Sequence, residues 1–481
     1  MTYNFYQNIY DTLNRQPDTE LLVWPGTEKG KAATSYTGND IARQLSAYRQ
    51  ALTEQDVRPG QKVLLAIPVS FTLICALLAV MAAGAIPVLP PAKASKVELL
   101  RLLYSSGISA ILSADAFAFP MRLLARILRL RLLPLAQVIP NIPAEWLPPV
   151  AVPAGQAALI SHSSGSTGKP KAILRSHRVL QAQHEVLKAI FPHWPGQRDF
   201  PLFPNILLHN LSIGTTSILP DLPWADLTQL DPERLVTQIN QEQVATLTGN
   251  LYYFRRLLTY LQQQRLYLLQ VQAVGIGGSP IPEKLVQEAQ AFFPNATFYL
   301  IYGSSEAEPI AVRKAGPEKE APAKGYAVGP VHSSLHCQIA VLGKIILADG
   351  TTYPVGEIQV KGSHVAATQP DGWLRTGDFG YLDARQHLYL TGRQGNEQLH
   401  EGVQHYQLEH VLQHLPGVTR AAAKSAATGF DIYIEGKIEE AEVREALQQH
   451  FPAQVICRIL FREQLPVDAR HHSKIRYTDL N

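Results

Sequence analysis

The sequence predicts an α/β protein: a large body of layered sheets and helices with a β-rich subdomain, followed by a small α+β domain. Three observations carry this expectation. Apolar runs such as VLLAI, AILS, AALIS, ATLTG, AVGIGG and FYLIYG alternate with helical stretches, the pattern of helices over a largely parallel sheet. After about residue 330 the texture changes to short alternating strands with tight turns, where Asp-Gly and Pro-Val-Gly supply the turn chemistry. A chain of 481 residues also exceeds what one hydrophobic core serves. The expected division is 1–392, with the β-rich part at about 330–392, and a mobile domain at 393–481.

The stretch 63–91 contains no charged residue and is long enough to cross a bilayer. Pro68 and Gly84 divide it into strand, helix and strand, so it reads as a buried βαβ unit rather than a membrane span. The segment 121–135 sets Arg122, Arg126, Arg129 and Arg131 among leucines. It reads as a layer helix with solvated arginines; its alternative is a basic amphipathic helix making a peripheral membrane contact. In the last domain a helix is expected at 406–415, a strand at 431–435, a second helix, and a strand near 455–461.

With 43 Lys+Arg against 40 Asp+Glu, the charge balance gives no reason to expect nucleic acid as a partner. Cys75, Cys337 and Cys457 lie far apart without metal-ligand spacing, and the first residues lack a basic stretch leading into an apolar one. Both features fit a cytoplasmic protein with reduced thiols.

Five short elements carry the chemistry. After the strand AALIS comes Ser163-Ser164-Gly165-Ser166-Thr167-Gly168-Lys169-Pro170-Lys171. Glycines let successive N–H groups converge, and hydroxyls and lysines add donors and positive charge, which makes a polyphosphate cradle. It is not a Walker A loop, which would need Gly at Ser163 and a hydroxyl residue at Pro170. Tyr302-Gly303-Ser304-Ser305-Glu306 also follows an apolar strand, so an aromatic ring, hydroxyls and a carboxylate reach a strand's carboxyl end together. These suit adenine stacking, an α-phosphate contact and the hard cation that accompanies a nucleotide triphosphate. Thr376-Gly377-Asp378 offers a carboxylate to ribose hydroxyls. Gly392-Arg393 stands at the domain junction, and Lys474 follows LeuProValAsp in the small domain.

In this order and at these separations the five elements resemble the adenylate-forming superfamily of acyl-CoA synthetases, peptide-synthetase adenylation domains and luciferases. The likeness covers essentially the whole chain. It implies an enzyme that activates a carboxylic acid with ATP and Mg²⁺, releasing pyrophosphate and leaving an acyl-adenylate. On that resemblance the loop from Ser163 to Lys171 holds the β- and γ-phosphates, and Thr167 and Glu306 position Mg²⁺ and phosphate. Tyr302 and Gly277-Gly278-Ser279 flank adenine, Asp378 and Arg393 hold ribose, and Lys474 bridges the carboxylate and α-phosphate. A kinase-like reading lacks its lysine strand and catalytic loop. A nucleotide-binding protein without catalysis would have no need for Lys474.

Departures concern the second half-reaction. ProLeuPhe is followed by Pro204 where acyl-CoA synthetases carry His, Gly395 replaces the hinge Asp or Lys, and only Gly402 and Glu409 are retained from the run that follows. FPLFP, YGSSEAEPIA and PVDARHHSKI resemble instead the β-lactone synthetases of bacterial olefin biosynthesis. Two acceptors follow: CoA or a carrier thiol, or the hydroxyl of a 3-hydroxy acid closing a β-lactone. By family analogy Phe203, Leu207, His209 and Gly249 line the acyl pocket, and their aliphatic surroundings suggest a fatty chain.

Overall fold

The computed structural model describes residues 2–26, 32–91, 94–138, 146–164, 170–223, 227–316, 321–366, 369–468 and 473–480. By packing, the chain divides into two compact units, Met1–Asp226 with Gln241–Val244, and Leu227–Asn240 with Ala245–Asn481. The junction expected at residues 392 and 393 falls inside the second unit.

The first unit is built on a six-stranded sheet in the order Arg131–Pro134, Ile108–Ser113, Lys62–Ala66, Ile86–Val88, Ala157–Ser164 and Pro170–Ser176. All neighbours are parallel except the last pair, an antiparallel hairpin. Between Lys62–Ala66 and Ile86–Val88 runs the helix Phe71–Ala82, whose Ser70 cap accepts from the Leu73 N–H at 3.2 Å. Its residues from Cys75 to Ala82 are buried apart from partly covered Leu77, and no described helix is long and apolar enough to cross a membrane. Gly84 ends the helix at φ +72°, where an added Cβ would also meet Val152 at 2.8 Å. The expected βαβ unit at 63–91 is present.

Alternation along each strand separates two apolar layers. Val63, Leu65, Ala110 and Leu112 face one, together with the helix Phe71–Ala82. Leu64, Ile111, Ile86 and Val88 face the other, covered by the helices Lys96–Ser105 and Phe119–Leu128. The continuous helix expected at 121–135 is corrected here. The helix ends at Leu128, Arg129 takes the left-handed φ of +55°, and Arg131–Pro134 forms an edge strand parallel to Ile108–Ser113. The physical reason is that the leucines after Arg129 alternate. Leu132 enters one layer and Leu133 the other, a period-two pattern that the open edge of the sheet selects. The same unit holds the parallel strands Arg198–Pro201, Thr216–Ile218 and Glu20–Trp24, with Thr34–Thr37 antiparallel at their edge.

The second unit begins with the parallel strands Thr246–Asn250, Ala273–Gly277 and Thr297–Ser304, the last turning back antiparallel as Ala307–Lys314. The β-rich segment is an antiparallel sheet ordered Tyr326–Pro330, His387–Arg393, Leu374–Leu382, Thr352–Gly362 and Leu335–Ile346. The terminal elements are the helices His405–Gln413 and Glu440–Gln448 over a sheet ordered Val418–Ser425, Phe430–Gly436 and Ile456–Arg462. The strand Val418–Ser425 was not anticipated from sequence.

Buried His410 fastens the helix His405–Gln413 within this unit. Its Nδ1–H donates to the Gly325 carbonyl at 3.0 Å, and its Nε2 accepts from the Glu283 N–H at 3.4 Å, which fixes the neutral tautomer. Burial, helped by His414 and Arg313, lowers its pKa from 6.5 to about 3. The unfolded chain therefore binds a proton that the folded chain refuses, so this contribution to stability is complete above pH 6.5 and is lost as pH falls toward 3. Thermal unfolding of wild type should weaken over this window. His410→Asn should remove up to about 1.4 kcal/mol per pH unit of that dependence; an unchanged pH profile would contradict the tautomer and its burial.

Candidate active site

Three chain segments bring Tyr302, Asp378 and Arg393 together within the second unit. The strands Leu374–Leu382 and His387–Arg393 pair antiparallel with Asp378 opposite Arg393. Arg393 Nη1 lies 2.5 Å from Asp378 Oδ1, and the Tyr302 hydroxyl donates to Asp378 Oδ2 at 3.1 Å. Asp378 is set by its own turn: Gly377 has φ +70°, and Thr376 Oγ1 accepts from the Asp378 N–H at 3.1 Å while donating to the Ile358 carbonyl at 2.7 Å. The carboxylate of Asp378 holds the Arg393 guanidinium firmly charged. Burial, and then the neighbouring Asp378 charge, push the Tyr302 phenol well up, so it stays a donor.

One cleft is walled by Gly278, Ser279, Tyr302, Asp378, Arg393 and Lys474. Gly277 ends the strand Ala273–Gly277, and Gly278 follows at φ +85°, which turns the chain out along the cleft. The Ser279 Oγ is buried with no hydrogen-bond partner, an orphan that a bound polar group would satisfy. Gly303 is required by the hairpin, since an added Cβ would sit 2.7 Å from the Ala307 carbonyl. Ser304 ends the strand; Ser305 and Glu306 form the turn, where the Glu306 carbonyl accepts from the Ala366 N–H at 2.7 Å.

Asp468 fixes the backbone at Lys474, which lines the cleft. Asp468 Oδ1 accepts from the Lys474 N–H at 2.9 Å and the Ser473 N–H at 3.2 Å, and the Asp468 N–H donates back to the Lys474 carbonyl at 2.9 Å. The aspartate of PVD is thus what presents the lysine.

Sequence reasoning missed a second layer behind these groups. The Arg393 N–H donates to His405 Nε2 at 3.0 Å, and His405 Nδ1–H donates to Glu409 Oε1 at 3.0 Å. Glu409 also accepts from the Tyr477 hydroxyl at 2.7 Å and from the Ala423 N–H at 3.0 Å. One buried carboxylate therefore joins the junction at Arg393 to the chain three residues beyond Lys474. Tyr326 and Tyr406 complete the wall, their rings edge to face at 5.5 Å. Glu409 was noted only as a retained residue, and nothing in its local sequence announces three donors. At Gly395 φ is +92°, a conformation glycine adopts without strain, and its N–H donates to Glu397.

The remaining candidates stand on other elements. Ser163 and Ser164 end the strand Ala157–Ser164 in the first unit, and exposed Lys171 sits opposite Ser163 on the returning strand. Gly165, Ser166, Thr167, Gly168 and Lys169 lie outside the described residues. Phe203 caps the helix Pro204–Ile213, which carries Leu207 and His209 in that same unit. His209 is buried with Nδ1 3.0 Å from His184 Nδ1, and burial lowers its pKa to about 3. Gly249 belongs to the second unit, where an added Cβ would meet Tyr253 at 2.7 Å.

The profile of AMP-binding enzymes matches residues 9–368. The chain belongs to the AMP-binding enzyme family. This AMP-binding enzyme is 29% identical over 364 residues to an olefin β-lactone synthetase of Stenotrophomonas maltophilia, covering 66% of the chain and 65% of that protein. It is likewise 29% identical over 372 residues to an olefin β-lactone synthetase of Xanthomonas campestris, spanning 66% of its length. It is 26% identical over 452 residues to a 4-coumarate–CoA ligase-like protein of Oryza sativa, covering 82% of the chain and 73% of that relative. The fold matches O-succinylbenzoate coenzyme A synthetase from Bacillus subtilis in complex with AMP, with a TM-score of 0.76 and 20% identity over 100% of the chain and 98% of that structure. It also matches an amide bond synthetase from Marinactinospora thermotolerans, with a TM-score of 0.77 and 20% identity over 98% of each chain. The α/β architecture read from sequence is that of these two enzymes.

The carboxylate of Glu409 makes a testable hub. Tyr477→Phe deletes one of its donors and should cost about 1 kcal/mol. Glu409→Leu strands three buried donors and should cost about 3 kcal/mol or more. Thermal and urea unfolding of the two variants would measure this ranking; equal losses would remove Glu409 as the shared acceptor.

Proposed function

We propose that this AMP-binding enzyme activates a carboxylic acid with ATP, forming an acyl-adenylate and releasing pyrophosphate. The observation that carries the reading is the convergence of Tyr302, Asp378, Arg393 and Lys474 on one cleft. A carboxylate attacking the α-phosphorus brings two anions together, so fixed positive charge is needed where negative charge develops. Lys474 supplies that charge: its ammonium bridges the substrate carboxylate and the α-phosphate. The carboxylate oxygen bonds to phosphorus as the bond to the β-phosphate oxygen breaks, and pyrophosphate leaves.

The chain's own groups fit a nucleotide. Asp378 retains acceptor capacity for ribose hydroxyls beside the donors it already holds, and Arg393 fixes its direction. The orphan Ser279 Oγ and the flat wall of Tyr302 suit a purine. Residues 163–171 hold the outer phosphates. On the family resemblance Glu306 and Thr167 would hold Mg²⁺, which would neutralise charge along the triphosphate. Residues 393–481 act as the domain that brings Lys474 to the acid.

The acid is a fatty or 3-hydroxy fatty acid, whose chain Phe203, Leu207, His209 and Gly249 would contact by family analogy. Two acceptors are open to the adenylate, a CoA or carrier thiol and the acid's own hydroxyl. Similarity to olefin β-lactone synthetases favours the second. There the 3-hydroxyl oxygen bonds to the acyl carbon, the acyl–phosphate oxygen bond breaks, and AMP leaves as the hydroxyl proton is released.

Pyrophosphate release from ATP and Mg²⁺ with fatty and 3-hydroxy fatty acids, with and without CoA, tests the reading when products are identified by mass spectrometry. Lactone closure requires release with 3-hydroxy acids and no CoA. A CoA thioester would assign the thiol acceptor instead. Lys474→Ala should slow release by about two to three powers of ten, and wild-type rates in that variant would sink the assignment.

A further inference from the structure

Two helices of the first unit are apolar on both sides. Lys96–Ser105 turns Leu102 and Leu103 into the layer over the sheet, and Phe119–Leu128 turns Met121, Leu124 and Leu128 into that same layer. The outward face of a surface helix is ordinarily polar. Here Val97, Leu100 and Tyr104, spaced three and four apart, stand exposed on the first helix. Phe119, Leu123 and Ile127, four apart, stand exposed on the second. The exposure is large: 74% for Phe119, 68% for Ile127 and 66% for Tyr104.

These are successive crossovers on one face of one parallel sheet, leading into Ile108–Ser113 and then into its neighbour Arg131–Pro134. The six side chains therefore belong to one surface, and an apolar area of this kind marks an interaction site where a lone exposed leucine would not.

Charge selects the partner. Arg101 lies on the outward face of the first helix; Arg122, Arg126 and Arg129 flank the stripe of the second, and all four are exposed. Arg122 Nε donates to the Phe117 carbonyl at 2.8 Å, which holds its guanidinium at the edge of the patch. Of the nearby carboxylates, Glu98 caps its own helix, accepting from the Ser95 N–H and hydroxyl at 2.8 Å, and Asp115 is exposed in the connecting loop. A second copy of the chain meeting this face about a two-fold axis would set arginines against arginines. Apolar side chains and arginines around aromatic anchors are the chemistry of a helix lying in a lipid headgroup boundary.

We propose that this face docks peripherally on an anionic lipid bilayer, its apolar side chains entering the headgroup boundary and its arginines meeting lipid phosphates. The docking does not depend on the reaction assigned above. No aromatic residue lies within 121–135, and Phe119, two residues ahead, supplies that anchor.

Flotation of the full chain with vesicles of phosphatidylcholine alone, and of phosphatidylcholine with phosphatidylglycerol in equal parts, tests the proposal. Wild type should partition onto the anionic vesicles at least about tenfold more than onto neutral ones, and high salt should reduce this. Leu123→Ser with Ile127→Ser, and separately Arg122→Gln with Arg126→Gln, should abolish the preference while leaving the thermal midpoint unchanged. Equal recovery with both vesicles, or variants that float like wild type, would overturn it. So would a dimer in analytical ultracentrifugation that the Leu123 and Ile127 variant dissociates without any vesicle binding.

Discussion

The ion pair between Asp378 and Arg393 is the constraint on which the rest of the cleft depends. A guanidinium and a carboxylate partly withdrawn from water must satisfy each other and their remaining hydrogen-bonding capacity. Adjacent strands place them opposite, a glycine turn and Thr376 aim the carboxylate, and Tyr302 donates from a third strand. Arg393 is also gripped through its backbone by His405, and through Glu409 by Tyr477. Residues far apart in sequence thus share one electrostatic arrangement, and Lys474 enters the cleft beside it.

That arrangement has a consequence for the proposed chemistry. A nucleotide meeting Asp378 finds an acceptor already oriented, so little reorganisation is needed when substrate binds. The second layer through Glu409 also relates the Lys474 segment to the Gly392–Arg393 junction. On the proposed reading, an enzyme whose adenylate is captured by the acid's own hydroxyl has less need to break that layer than one that must admit a separate thiol.

The layered α/β body, the βαβ unit at 63–91 and the antiparallel segment after residue 330 were legible because apolar periodicity and turn residues are local signals. The segment 121–135 was misread because leucines among arginines satisfy a helical period and a strand period alike; only the vacant edge of the sheet decides between them. Among the candidate residues, Tyr302, Asp378, Arg393 and Lys474 could each be picked out by motif, but their mutual contacts depend on strand register and could not be. Tyr406, His405 and Tyr477 carried no signal, and Glu409 only its retained place in the run, because a buried hydrogen-bond hub is defined by what surrounds it. His209 reads from sequence as a substrate contact or a structural histidine alike, and its contact with His184 is one that only the fold could supply.

Isotope tracing tests acyl-adenylate formation most directly. An acid labelled with ¹⁸O in both carboxylate oxygens, turned over with ATP, should yield AMP carrying one labelled oxygen, since the acyl–oxygen–phosphorus link forms through the carboxylate and breaks at the acyl carbon. Turnover that leaves AMP unlabelled, or that gives ADP with the label in inorganic phosphate, would contradict it.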